Sequence, residues 1–221
     1  LTRTAPDMLR RANDVSGFMR SAITTADLSA PFIQGIPWLT THPVQFLKDF
    51  AAGAREFAQP GRHQAWLASP FAQGIVARAP GIALSAGKRE YFSGAPQVAG
   101  ALSRIPKVGG VLSGVIERSG AAFDAFGDRA RIHWLDAMLP LVDRLPAAQR
   151  ETQLARITAM VNHATGSAST TAMGLSPTQR GMEQALLFAP MYYRSALALM
   201  GDMAAGGLTT LKVGTSYEVG E

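Results

Sequence analysis

The chain has 221 residues, of which 47% are hydrophobic and only 17% are charged, and its formal net charge is +5. The absence of cysteine excludes disulfides, thiolate metal sites and a cysteine nucleophile. Because globular domains usually carry about a quarter charged residues, the low charge predicts that part of the surface is covered by a partner, by further copies or by the rest of a longer chain.

The basic excess lies in the first half of the chain. Residues 1–120 carry 13 Lys and Arg against 7 Asp and Glu, whereas residues 121–221 carry 8 against 9. Most of the basic residues are arginines, which suit phosphate and carboxylate groups, but GC-rich coding, which the Ala and Gly content suggests, is the preferred explanation for them. They are scattered and form no DNA-reading motif, so weak contact with a DNA backbone stays an alternative.

The first elements in chain order are a helix and an irregular connection. Apolar residues recur at three- and four-residue steps over 6–26, which predicts an amphipathic helix. The stretch 24–43 has many apolar residues but contains Pro31, Gly35, Pro37 and Pro43, so we predict a packed irregular connection, with a short helical turn as an alternative.

Shorter helices fill the rest of the first half. Pro43 is a helix-start signal, and the apolar spacing after it predicts a helix over 44–58. Proline residues divide the next stretch into two short helices, at 61–68 and 70–78. The segment 80–110 is rich in Gly and Pro and is predicted to be exposed or mobile.

The second half is more regular. A long helical pattern covers 111–139, with a division near Gly120 as an alternative, and Pro140 and Pro146 bracket a short turn or helix. A further helix is predicted over 147–164.

The last helix is predicted to begin at Ser176-Pro177 and to end at Gly206-Gly207, and a β-prone tail follows as a short strand or an arm on a neighbour. The fold class is therefore all-α, an irregular multi-helix bundle with Gly/Pro-rich connections. We divide the chain into helical segments 1–110 and 111–207 and an extended tail, 208–221.

The residues suggest no cofactor, no metal site and no catalytic group. The four histidines are far apart, and none forms the His-x3-His pair of a helical metal site. His133 and Asp136 are spaced for a hydrogen bond on a helix surface. Asp124 and Asp128 are spaced for a pair with a raised pKa, but with Arg residues close by, a solvated helix face is the preferred interpretation.

The stretch "MVNHATGSAST" at 160–170 contains the most reactive-looking residues, yet it fits a helix end. Gly166 falls where a left-handed residue is favoured, and His163 lies in the last turn. Asn162 is expected to cap exposed backbone or to bind a neighbouring segment. The stretch 185–200 carries only Arg194 as a charge but is short for a membrane span, so a buried core helix is preferred over a membrane-exposed one.

Three stretches resemble a helical region of the large polyvalent proteins of tailed phages and conjugative elements. They are "DLSAPFIQGIPWLTTHPVQFLKDF" at 27–50, "RIPKVGGVLSGVIERSGAAFDAFGDRARIHWLDAM" at 104–138, and "ITAMVNHATGS" followed by "ALLFAPMYYRSALALM" within 157–200. The residues that carry the resemblance are Ser29, Pro31, Gln34, Gly35, Glu117, Arg118, Asn162, Thr165, Gly166, Phe188, Pro190 and Tyr192.

The resemblance implies a structural segment of a phage virion protein, an internal core or ejection protein that assists genome delivery. It implies portal or tail proteins, or copies of this chain, as partners. The location would be inside the capsid or at the portal or tail, and the host envelope or cytoplasm after delivery. A first residue other than Met fits a fragment of such a long protein. Two alternatives stay open: a lytic or non-catalytic module of a polyprotein enzyme, and a membrane-active pore segment.

Overall fold

A computed structural model describes residues 29–84, 109–167, 197–198 and 200–201 of the chain. These residues form helices and contain no strand, so the all-α prediction is confirmed for the part described. The six helices are α1 (Ser29–Thr41), α2 (Pro43–Ala58), α3 (Arg62–Leu67), α4 (Pro70–Arg78), α5 (Gly109–Asp143) and α6 (Ala147–Ala164). The predicted helix at 6–26, most of 80–110, most of the last helix and the tail lie outside the described residues.

Helix α1 contradicts the predicted irregular connection. It is continuous over Ser29–Thr41 with Pro37 inside, while Pro31 lies in the first turn, where a backbone N–H has no intrahelical acceptor. The Pro37 carbonyl accepts hydrogen bonds from the Thr40 and Thr41 hydroxyls at 3.1 and 2.8 Å. Tertiary packing therefore maintains the helix beyond a residue that disfavours it.

Helix α2 begins at Pro43, as predicted, and packs antiparallel along α5. At one end Gln45 contacts His133, and at the other Gly53 lies against Ala122. Phe46 is fully buried and meets Phe126 edge-on, with ring centroids 5.3 Å apart. Together these contacts make the α2–α5 pair the centre of the described fold.

Helix α5 is longer than predicted and is not divided at Gly120. It runs from Gly109 to Asp143 with Pro140 in its last turn, and the turn predicted between Pro140 and Pro146 follows its end, at 144–145. Continuing the helix buries Leu139 and Val142, which are 3% and 2% exposed. Pro140 has no backbone N–H and so lacks only the hydrogen bond to the carbonyl of Asp136, a residue on the exposed side of the helix.

The predicted short helices and the helix over 147–164 are confirmed as α3, α4 and α6. Ser69 caps α4 by accepting from the Ala72 N–H at 3.3 Å. Gly166 has φ 76°, and the N–H groups of Gly166 and Ser167 donate to the carbonyls of His163 and Asn162. This pattern is a Schellman motif, and it confirms the predicted helix end at 160–167.

One hydrophobic core joins residues on both sides of position 110, from Trp38 and Phe46 to Trp134 and Val161. The division into segments 1–110, 111–207 and 208–221 remains an interpretation of the sequence. Among the residues described, no helix is both long and apolar enough to cross a membrane.

Candidate functional site

The buried face of α2 carries acidic side chains among its apolar ones. Phe46, Asp49, Gly53 and Glu56 follow one another at three- and four-residue steps and are all buried. Each carboxylate is turned toward α3 or α5. Because a buried charge is costly unless it is paired and hydrogen-bonded, the partners of Asp49 and Glu56 define the polar centre of the molecule.

Asp49 is 1% exposed and accepts from three side chains. Trp38 Nε1 and Gln45 Nε2 each donate at 3.0 Å. His133 Nδ1 lies 2.8 Å from Asp49 Oδ1, and the His133 side chain is 20% exposed. The carboxylate therefore ties α1 and α2 to one imidazole of α5, and it orients that imidazole at the edge of the core.

A second cluster lies near the junction of α2 and α3. Glu56 accepts from the backbone N–H groups of Gly61 and His63, both at 2.7 Å, which fixes the turn between the two helices. His63 Nε2 lies 2.9 Å from Asp128 Oδ2 on α5. Gly61 adopts φ 98°, a conformation that favours glycine.

Asp128 also faces Arg131, whose Nη1 lies 3.4 Å from Asp128 Oδ1. Arg131 reaches the end of α6, where Nε donates to Thr165 Oγ1 at 2.8 Å and Nη2 donates to the Thr165 carbonyl at 3.0 Å. This buried guanidinium connects the His63–Asp128 pair to the end of α6.

Arg129 lies between the two clusters, with its guanidinium carbon 4.1 Å from the centre of the Trp66 ring. Burial lowers the pKa of Arg129 from its usual value, and the nearby Asp49 and Glu56 carboxylates oppose that effect. The stacking is a cation–π contact. We call Asp49, Glu56, His63, Asp128, Arg131 and His133 the polar network; Arg129 and Trp66 flank it.

Two sequence interpretations are wrong at this site. Asp124 and Asp128 do not lie on a solvated face, because they are 3% and 0% exposed. The strongest contact of His133 is to Asp49 on α2, rather than to Asp136, which is exposed on the same helix. Helix spacing identifies neighbours along one helix, whereas the observed partners come from other helices.

The residues of the family-like motifs do not converge on one site. Ser29, Pro31, Gln34 and Gly35 belong to α1, and a Cβ on Gly35 would lie 2.5 Å from the Phe46 ring. Glu117 and Arg118 are exposed on α5, while Thr165 and Gly166 are buried at the end of α6. Phe188, Pro190 and Tyr192 lie outside the described residues.

Asn162 binds a neighbouring segment, which is one of the two roles that the sequence predicted for it. Its Oδ1 accepts from the Ala83 N–H and its Nδ2 donates to the Gly81 carbonyl, both at 2.9 Å. The side chain thereby satisfies two backbone groups of the stretch after α4 and attaches that stretch to α6.

The sequence did contain a signal for the missed carboxylates. Asp49 and Glu56 occupy positions of the apolar stripe of α2, and an acid on such a stripe predicts a buried partner. His133 and His63 carried no comparable signal, because their partners are remote in sequence.

The described residues bring no three metal-ligating side chains together. What the arrangement offers chemically is one partly exposed imidazole held by a buried carboxylate. Comparison of the chain with protein-family models, with curated proteins and with solved structures found no match. The resemblance to large polyvalent proteins therefore stays a prediction.

Proposed function

We propose that this chain is a structural segment of a phage virion protein, an internal core or ejection protein that packs into an assembly and assists genome delivery. Its partners would be portal or tail proteins, or copies of itself. The observation that supports the proposal best is an apolar surface at the start of α2, where Val44 and Leu47 are 65% and 58% exposed one turn apart.

The charge pattern of the molecule agrees with an assembly role. Only 17% of the residues are charged, and several of these belong to the polar network and so face the interior. Fewer charges are then left for the surface, and depletion of charge is typical of the centre of protein interfaces. Ile36 on α1 is a further large apolar side chain with 51% exposure.

Fractionation of particles tests the proposal. Lysates of cells that carry the encoding element are treated with nuclease and protease, and intact particles are purified by density. We expect peptides of α2 and α5 in the protected particle fraction, with release only after particle disruption. Recovery of these peptides solely from the soluble host fraction would overturn the proposal.

A further inference from the structure

Asp49 determines which nitrogen of His133 carries the proton. A carboxylate can only accept, so the 2.8 Å contact between Asp49 Oδ1 and His133 Nδ1 places the hydrogen on Nδ1. Gln45 Nε2, 3.1 Å from the same nitrogen, directs a hydrogen to Asp49 Oδ1 at 3.0 Å. The lone pair of the neutral ring is therefore on Nε2.

Nothing in the described part of the chain hydrogen-bonds to Nε2 of His133. The ring is 20% exposed and lies beside Phe71, whose ring is stacked at 5.6 Å between centroids, and Trp66, tilted at the same separation. Phe71 is itself 41% exposed. A partly exposed imidazole therefore lies beside Phe71, an aromatic ring that is itself exposed to a planar ligand.

The charges around His133 favour a neutral ligand. The Asp49 carboxylate touches the ring, and the Arg129 guanidinium one turn earlier already faces Asp49 and Glu56. Arg55 also lies near Arg129, so two carboxylates face two guanidinium groups and no surplus positive charge remains to hold an anion. An uncharged ester with an aromatic group is neutral, as the charges favour, and it has a planar ring that can lie beside Phe71.

We propose that the Asp49–His133 pair is an acyl-transfer site for neutral aryl esters, with His133 Nε2 as the nucleophile and Asp49 as the positioning residue. The Nε2 lone pair attacks the ester carbonyl carbon, the C–O bond to the aryl group breaks, and the aryloxide leaves with the electron pair. The acyl-imidazolium keeps its Nδ1–H on the Asp49 carboxylate, which stabilises the positive charge.

Water completes the reaction. Its oxygen bonds to the acyl carbon, the C–N bond to Nε2 breaks, and the imidazole is restored with its proton on Nδ1. One proton of the water remains on the carboxylic acid and the other neutralises the aryloxide. The net reaction is hydrolysis of an ester to an acid and a phenol, and it is independent of the assembly role.

The test uses the full chain and p-nitrophenyl acetate. We expect a burst of nitrophenolate and an acetyl group that peptide mapping by mass spectrometry locates on His133. His133→Gln abolishes the burst, while the matched control His163→Gln, at the end of α6, leaves it unchanged. Asp49→Asn lowers the acetylation rate roughly tenfold or more, since positioned acid–base groups contribute about 10²–10⁴-fold.

Two measurements separate chemistry from folding. Mapping of the acetyl group on the unaltered chain needs no variant, and nitrogen-15 shifts of the His133 ring report its tautomer. Acetyl groups spread over lysines and other histidines, or a proton found on Nε2 in the unaltered chain, would overturn the proposal. An unchanged acetylation rate in a folded Asp49→Asn variant would overturn the role of Asp49.

Discussion

Asp128 has no exposed surface, and its two oxygens face two different basic side chains. Oδ2 lies 2.9 Å from His63 Nε2, and Oδ1 lies 3.4 Å from Arg131 Nη1. Breaking a buried ion pair by removing one partner leaves an uncompensated charge. The Asp128 carboxylate therefore holds α3 to α5 through His63, and through Arg131 it supports the contact of α5 with the end of α6.

We expect Asp128→Ala to lower the free energy of unfolding by about 3–5 kcal/mol, because the buried Arg131 loses its counter-charge. Urea unfolding monitored by circular dichroism measures the change. Asp136→Ala, at an exposed position of the same helix, is the matched control and changes stability by less than about 0.5 kcal/mol. Equal effects of the two substitutions would contradict the network.

Asn162 gives a second prediction for a single side chain. Asn162→Ala removes both hydrogen bonds to the backbone of Gly81 and Ala83. We expect a loss of about 1–3 kcal/mol, since two part-buried hydrogen bonds are removed and each contributes about 0.5–1.5 kcal/mol. Hydrogen exchange at the Ala83 amide accelerates in the variant, and unchanged exchange there would contradict the contact.

At the scale of elements, the contact between α2 and α5 depends on a small residue. A Cβ on Gly53 would lie 2.8 Å from the Ala122 carbonyl oxygen and 3.2 Å from Phe126 Cβ. The backbones of the two helices approach too closely at this point for a larger side chain. The close approach places Asp49 within reach of His133.

Two glycine-to-alanine substitutions in helices should therefore change the free energy of unfolding in opposite directions. Gly53→Ala is expected to destabilise the fold by about 1–3 kcal/mol through overpacking. Gly74→Ala in α4 meets nothing within 4 Å and should stabilise the fold by about 0.5–1 kcal/mol, because alanine favours a helix interior. Thermal unfolding of both variants checks the pair, and a stabilising Gly53→Ala would contradict the close approach.

Helix periodicity and proline positions predicted α2, α3, α4 and α6, because these helices expose one face and begin or end at local signals. The same local rules failed at Pro37 and Pro140, where burial of Trp38 and Val142 outweighs the lost backbone hydrogen bond. They also could not pair Asp49 with His133. That contact depends on the packing of α2 against α5, which no local spacing encodes.

At the scale of the whole molecule, the apolar surface at Val44 and Leu47 should drive association. We expect the double variant Val44→Asp with Leu47→Asp to weaken assembly with copies or virion partners, measured by sedimentation velocity of concentrated protein and by incorporation into particles. The control, Ala148→Asp with Gln149→Asp, adds the same charge at exposed positions of α6 and should leave both readouts unchanged. An equal loss of association in both double variants would show that the added charge, and not the apolar surface, is responsible, and would contradict the prediction.

Hydroxyl-radical footprinting of purified particles and of the isolated chain tests the assembly role most directly. In the isolated chain, Val44 and Leu47 should label strongly, as their 65% and 58% exposure requires. In the particle, we expect both residues to be protected while exposed positions of α6 keep their labelling. Absence of the chain from particles, or equal labelling of Val44 and Leu47 in the two samples, would contradict it.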